Sequence, residues 1–189
     1  DCILQELIPT ILMRLSLPIA MRWGANQDVF IRPVHWIVSM FNKKVVPFEL
    51  FGIQSGRVSY GHRILSDSDS FQGKGLTIKD AIDFLAVLET QGAVVYSAQK
   101  RKKNIAHALK RYKQKDYDQD LLEEVIYLTE NPIVLKGVFD KKYLKLPSFL
   151  LIECMKKHQR YFPVYNQSQQ LQPEFLMVAD NISKRNQKN

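Results

Sequence analysis

The chain has 189 residues, 46% of them apolar, which is enough to bury a core and too much for a disordered segment; 27 lysines and arginines against 19 acids give a formal charge of +8. That balance favours a polyanionic partner without naming one. No apolar run reaches the roughly eighteen residues of a membrane helix, and the opening Asp-Cys-Ile-Leu-Gln-Glu lacks the basic start of a secretory leader, so a cytoplasmic chain is expected.

Cys2 and Cys154 lie far apart, outside any CxxC or Cys/His cluster, which suits a reducing compartment and argues against zinc. The missing initiator methionine and the polar run 183–189 point to a piece of a longer polypeptide. The reading in domains is a helical lead-in over 1–20, an α+β core over 21–182, and a polar tail over 183–189.

In chain order, Ile3, Leu4, Leu7, Ile8, Ile11, Leu12 and Leu15 form the i, i+3, i+4 stripe of an amphipathic helix, weakened at Pro9 and ended by Pro18. Met21 to Gly24 lead into a polar turn over 25–28. Residues 29–41 are apolar on both faces apart from Arg32, His35 and Ser39, which predicts a strand covered on both sides, with Pro33 at its start or at a bulge. Asn42-Lys43-Lys44 turns the chain back through Val45 to Leu50 as a hairpin.

Residues 51–63 hold three glycines, two arginines and a histidine. Gly52, Gly56 and Gly61 permit positive φ or close approach, and Arg57 and Arg63 offer guanidinium forks. The segment reads as an anion-facing loop or as an internally paired hairpin. Residues 66–75 read as a mobile connection. Thr77 precedes Asp80 at capping spacing, Ala81, Phe84, Leu85 and Leu88 give a helix closed by Gly92, and residues 93–96 read as a short strand.

The densest basic run lies over 99–115, where Ile105, Leu109 and Tyr112 keep a helical stripe beneath Lys100, Arg101, Lys102, Lys103, Lys110, Arg111, Lys113 and Lys115. Its outer surface is either solvated or a track for phosphates. Residues 116–120 break the helix; Leu121, Leu122, Val125, Ile126 and Leu128 then set a second stripe, with Glu123 and Glu124 outside. Asn131-Pro132 stops it, residues 133–138 read as a buried strand, and Asp140-Lys141-Lys142 as a turn. Pro147 opens another helix, and residues 160–165 and 174–179 pair as a second hairpin. Together these elements predict an α+β fold with a mixed β-sheet and packed helices.

No HExxH, GxSxG, Walker loop or GxGxxG occurs, so a metallohydrolase, serine hydrolase or nucleotide site is not expected. Residues 155–163 interleave cations with Tyr161 and Phe162, an arrangement open both to RNA contact and to inward packing of the rings. Trp23, Trp36, His35 and Cys154 are expected in the core.

Taken together, Met21-Arg-Trp-Gly, Arg32-Pro-Val-His-Trp36, Ser55-Gly-Arg with Gly61-His-Arg63, Leu121-Leu-Glu-Glu-Val125, Lys157-His-Gln-Arg-Tyr-Phe162 and Phe175-Leu-Met-Val-Ala-Asp-Asn181 resemble, in this order, the β subunit of the bacterial-type two-subunit glycyl-tRNA synthetase. The sequence departs from that pattern at Leu128-Thr-Glu-Asn-Pro132, where a more apolar run is expected.

The resemblance implies an α2β2 ligase that attaches glycine to tRNA-Gly with ATP and magnesium. The catalytic core belongs to the α subunit, and β contributes tRNA recognition and assembly. This chain corresponds to the N-terminal half of β, ahead of its HD-like and anticodon-binding regions, with no cofactor of its own. Its implied partners are tRNA-Gly, the α subunit and the remaining domains of β. The fold is further expected to be similar to the B3/B4 region of the phenylalanyl enzyme's β subunit, where editing is housed, a likeness that transfers no activity. On this reading Arg57, Arg63, Lys102, Lys103, Lys157 and Arg160 are candidate RNA contacts and no residue is catalytic. An editing hydrolase would use His62 or His158 to orient water, and a third possibility is a purely structural bridge to α.

Overall fold

The computed structural model describes residues 2–24, 27–66, 73–112 and 117–180. They are α+β, and the chain divides into two compact units, Asp1–Gly92 and Ala93–Asn189.

The first unit begins with α1 (Cys2–Met13), which retains Pro9 inside it. Ile8 and Leu12 pack on a cluster formed by Phe48, Leu50 and Phe51, together with Trp23, Phe30, Val34 and Ile37. Met21 and Phe30 form an antiparallel bridge that closes the loop between them; of the polar turn expected over 25–28, residues 25 and 26 lie outside the described residues.

The strand expected over 29–41 is present only as β1 (Ile37–Val38) and β2 (Met40–Phe41). Pro33 has no N–H to give a ladder, and the neighbouring side chains alternate between half-buried and exposed rather than being covered on both faces. The expected hairpin is formed: β2 pairs antiparallel with β3 (Lys44–Val45), and Asn42 takes the positive φ, 52°, at the turn.

The segment 51–63 is paired strand rather than open loop. Phe51 and Gly52, with φ of 57° and 73°, make a two-residue turn that joins β4 (Glu49–Leu50) to β5 (Ile53–Gly56). A phenylalanine in left-handed conformation is strained, and its ring offsets that strain by packing 5.3 Å from Trp23 and 5.4 Å from Phe30. Strand β5 also pairs in parallel with β1, so this three-stranded sheet is mixed. Strand β6 (Val58–Tyr60) pairs antiparallel with β7 (Gly75–Thr77). Gly61 then lies against Gly92, where a Cβ would come 2.8 Å from the Gly92 backbone.

The mobile connection expected over 66–75 falls largely on residues 67–72, outside those described. Thr77 belongs to β7 and caps nothing. Asp80 is the cap, accepting a hydrogen bond from Ile82 N at 3.4 Å at the start of a 3₁₀ turn that leads into α2 (Phe84–Thr90).

In the second unit, residues 93–96 form no strand, although Val95 N is bonded to Glu130 O. Ser97 caps α3 (Ala98–Arg111) and Asp118 caps α4 (Gln119–Val125). Ile105 and Leu109 of α3 and Leu121, Leu122 and Val125 of α4 meet Phe162, Val164 and Leu176 in one core. Tyr112 and Leu128, expected on the same stripes, are exposed, since both follow the last regular turn of their helices.

Strands β8 (Ile133–Val138), β9 (Tyr161–Tyr165) and β10 (Leu171–Ala179) form an antiparallel sheet in the order β8-β10-β9, with a bulge between Leu171 and Phe175. Between β8 and β9 run a 3₁₀ turn (Lys141–Lys145), α5 (Ser148–Glu153) with Pro147 as its N-cap, and a π-helical turn (Cys154–Gln159). The departure at residues 128–132 is satisfied locally. Glu130 N and Asn131 N both donate to Asp180 Oδ1, and Asn131 Nδ2 donates to Ala93 O.

Candidate nucleic-acid interface

Helix α3 carries no acidic residue among its fourteen. At 100° per residue, Ile105 and Leu109 mark the face it buries, and Lys100, Lys103, His107, Lys110 and Arg111 fall together on the opposite side. From Lys100 to Arg111 this face extends about 16 Å, at 1.5 Å per residue. Lys103, Lys110 and Arg111 are exposed and have no acidic partner among the described residues. The amphipathic pattern thus aligns a core on one side with a cationic ridge on the other, in which Lys103, Lys110 and Arg111 carry no acidic partner among the described residues.

Two cations of the same run do not join the ridge. Arg101 turns inward, its Nη1 donating to Val95 O at 2.6 Å and Tyr96 O at 2.9 Å and its Nε to Ile126 O at 2.7 Å, so it ties a loop to the C-terminal end of α4. Lys102 forms an ion pair with Glu123 of α4.

Lys157 and Arg160 lie in a different setting, a cleft of about 490 Å³ between α4 and the π-helical turn. Four carboxylates (Asp118, Asp120, Glu124 and Glu153) face three cations (Lys156, Lys157 and Arg160), leaving one negative charge in excess. Arg160 Nε donates to Glu124 at 2.5 Å, Lys156 pairs with Asp118 at 2.9 Å, and Lys157 pairs with Glu153 at 2.7 Å. The Asp118 carboxyl is held below the usual range, first by the N–H of Leu121 and then by Lys156. Arg160 takes a left-handed backbone, φ 58°, where the chain leaves the π-helical turn and enters β9.

Both rings of this segment pack against protein. Phe162 is 2% exposed and meets Tyr117 edge-on, while Tyr161 stacks on Phe175 at 4.4 Å. Neither is left free as a base platform. His158 is exposed on the π-helical turn.

The remaining candidates belong to the first unit. Arg57 Nη2 donates to Lys43 O at 3.1 Å, and Arg63 is exposed. His62 is 4% exposed, and its Nδ1 accepts from Ile64 N and Leu65 N, each at 3.2 Å, which puts the ring proton on Nε2. It holds the turn that follows β6.

Two side chains expected in the core are not there: His35 and Cys154 are both exposed. The ridge was partly missed by the sequence reading, since Lys110 and Arg111 were counted in the basic run but not singled out. A helical-wheel placement against Ile105 and Leu109 would have found them.

Among the described residues no group of three His, Cys, Asp or Glu side chains could hold a metal ion, so magnesium is assigned no residue here. Among the described residues no helix is long and apolar enough to cross a membrane.

The chain is therefore an α+β module of two units, with a cationic helix face and an acid-balanced cleft. The family model described as "Glycyl-tRNA synthetase beta subunit" matches residues 1–189, and the chain belongs to that family. It is 39% identical to the glycine–tRNA ligase beta subunit of Listeria monocytogenes over 92% of its length, 37% identical to that of Limosilactobacillus fermentum over 94%, and 34% identical to that of Halothermothrix orenii over 95%. In each case it spans 26% of the relative's length.

Proposed function

We propose that this chain is a tRNA-binding and scaffolding part of the β subunit of a glycine–tRNA ligase. It supports an α subunit that joins glycine to tRNA-Gly using ATP and magnesium in the cytoplasm. The observation that carries the reading is the outward face of α3, where Lys103, Lys110 and Arg111 stand together without an acidic partner among the described residues.

A ridge of this kind holds sugar-phosphate backbone by charge and reads no bases, so its affinity falls steeply with salt. Lys103, Lys110 and Arg111 predict a slope of log affinity against log salt of about −2 to −2.7, at roughly 0.7 to 0.9 per phosphate neutralised. Arg57, Arg63, Lys102, Lys157 and Arg160 remain secondary contacts in this reading. For Lys102, Lys157 and Arg160, RNA would first have to displace a carboxylate, which lowers their net contribution.

An editing role is less well supported. The Nδ1 lone pair of His62 is already engaged by two N–H groups, and a general base needs a free one facing its substrate. Filter binding of tRNA-Gly to the full-length β subunit across a salt series tests the proposal. Affinity that does not change with salt, or that survives neutralisation of Lys103, Lys110 and Arg111, would overturn it.

A further inference from the structure

At the middle of the α3 ridge stands a side chain whose charge is not permanent. His107 follows Lys103 by four residues and precedes Lys110 by three and Arg111 by four, so it lies within a single helical turn of all three. Around the helix axis it sits between them, with Lys103 and Lys110 on one side and Arg111 on the other. Without it, the seven-residue step from Lys103 to Lys110 would leave a gap of about 10 Å in the track of positive charge. His107 is exposed and, among the described residues, makes no hydrogen bond, ion pair or ring contact. Gln99 and Asn104, exposed on the same arc, are neutral.

Within the second unit, the elements packed against α3 bring no charge to this side. Helix α4 and strand β8 meet the opposite face through Leu121, Leu122, Val125 and Val134. Of their charged side chains, Glu123 pairs with Lys102, Glu124 with Arg160 and Lys136 with Glu174. The cap Asp118 pairs with Lys156, and Asp120 lines the cleft beside α4. The charged side chains that face His107 in this unit are therefore those of its own helix: Lys103, Lys110 and Arg111 within a turn, and Lys100 two turns back.

A neutral imidazole offers one N–H donor and no charge, whereas an imidazolium offers two donors and a full positive charge. That exchange belongs to the range between pH 5 and 8, in which lysine and arginine side chains stay charged. A phosphate held between Lys103 and Lys110 sets its negative charge beside the ring and favours the imidazolium. We propose that His107 is the central phosphate contact of the ridge and engages RNA as the imidazolium, so that binding takes up a proton. The inference rests on the reading of α3 as an RNA-binding face and adds to it a contact that is made at low pH and weakened at high pH.

Filter binding of tRNA-Gly to the full-length β subunit, in salt series at pH 8.5 and pH 6, tests it. Affinity should rise about three- to fivefold toward pH 6, and the salt slope should steepen by about 0.8 as one more phosphate is neutralised. His107→Gln should abolish both changes, and His107→Lys should give the tighter binding and steeper slope already at pH 8.5. Both replacements are good helix formers at an exposed position, so the fold is retained. His35 and His158 are also exposed, and the comparison with His107→Gln separates their contribution. A wild-type affinity that does not change with pH, or a pH dependence that survives in His107→Gln, would overturn the proposal. If binding is nevertheless lost on neutralising Lys103, Lys110 and Arg111, the ridge stands and only the role of His107 falls; binding that survives that neutralisation removes both.

Discussion

The outward face of α3 and the cleft beside α4 are built from similar side chains within one unit, yet they differ in what surrounds the charge. On α3 the cations share a helix without a single acid. In the cleft Lys156, Lys157 and Arg160 each meet a carboxylate within 3 Å. Positive residues in a run therefore do not make a positive surface. What decides is whether the neighbouring element brings acids, and α4 with its Asp118, Glu123 and Glu124 brings them to the cleft and to Lys102 but not to the far side of α3.

The comparison can be broken most severely at the aromatic pair of β9. Phe162→Ala should cost about 3–5 kcal/mol in urea unfolding of the β subunit because the ring fills the core, while Tyr161→Leu should leave tRNA affinity near wild type. A stable Phe162→Ala variant with weakened RNA binding would instead return these rings to the RNA surface.

Next in size, Lys103→Gln, Lys110→Gln and Arg111→Gln combined should weaken tRNA binding at low salt by on the order of 100-fold and flatten the salt slope by about 2. Filter binding reads both quantities, and the same number of neutral substitutions at Lys156, Lys157 and Arg160 should do much less.

Asp118 supplies a smaller effect with a defined sign. Its carboxyl is held below the ordinary aspartate range, so the stability it contributes is present above the unfolded pKa and is lost as pH falls through the lowered folded value. Asp118→Ala should cost about 1 kcal/mol near neutral pH, as loss of an N-cap does. It should also flatten the acid limb of a pH-dependent unfolding series, and an unaltered limb would mean that the cap and the Lys156 pair are not coupled to folding.

The smallest expected change is the most direct test of charge balance. Glu124→Gln frees Arg160 from an exposed pair worth about 0.5–1 kcal/mol and should raise tRNA affinity about threefold at low salt. No increase would show that the cleft stays away from RNA even when its acids are reduced.

Much of the second unit was legible because local signals agreed with packing. Ile105 and Leu109 are spaced for one helix face, Leu121, Leu122 and Val125 for another, and the hairpin over residues 161–179 follows an alternating pattern around a polar turn. The first unit was less legible. Its strands are two to four residues long, too short for periodicity to assert itself, and Pro33 breaks the one long apolar run.

The candidate site was half readable. The basic run and the acids of α4 are plain in the chain, but which cation meets which acid depends on partners 21 to 36 residues away, as for Lys102 with Glu123 and Arg160 with Glu124. Arg101 shows the same limit, being one of four consecutive cations and yet turned inward to three carbonyls.

Composition, ordered motif blocks and helical spacing were sufficient for the family, the α+β class and the existence of a basic helix, because each rests on residues close together in the chain. Only the tertiary structure decided which charges stand alone and that the glycine-arginine segment is paired strand. Those outcomes depend on long-range neighbours: a charge is compensated, a glycine is crowded and a ring is covered only by what folding brings beside it.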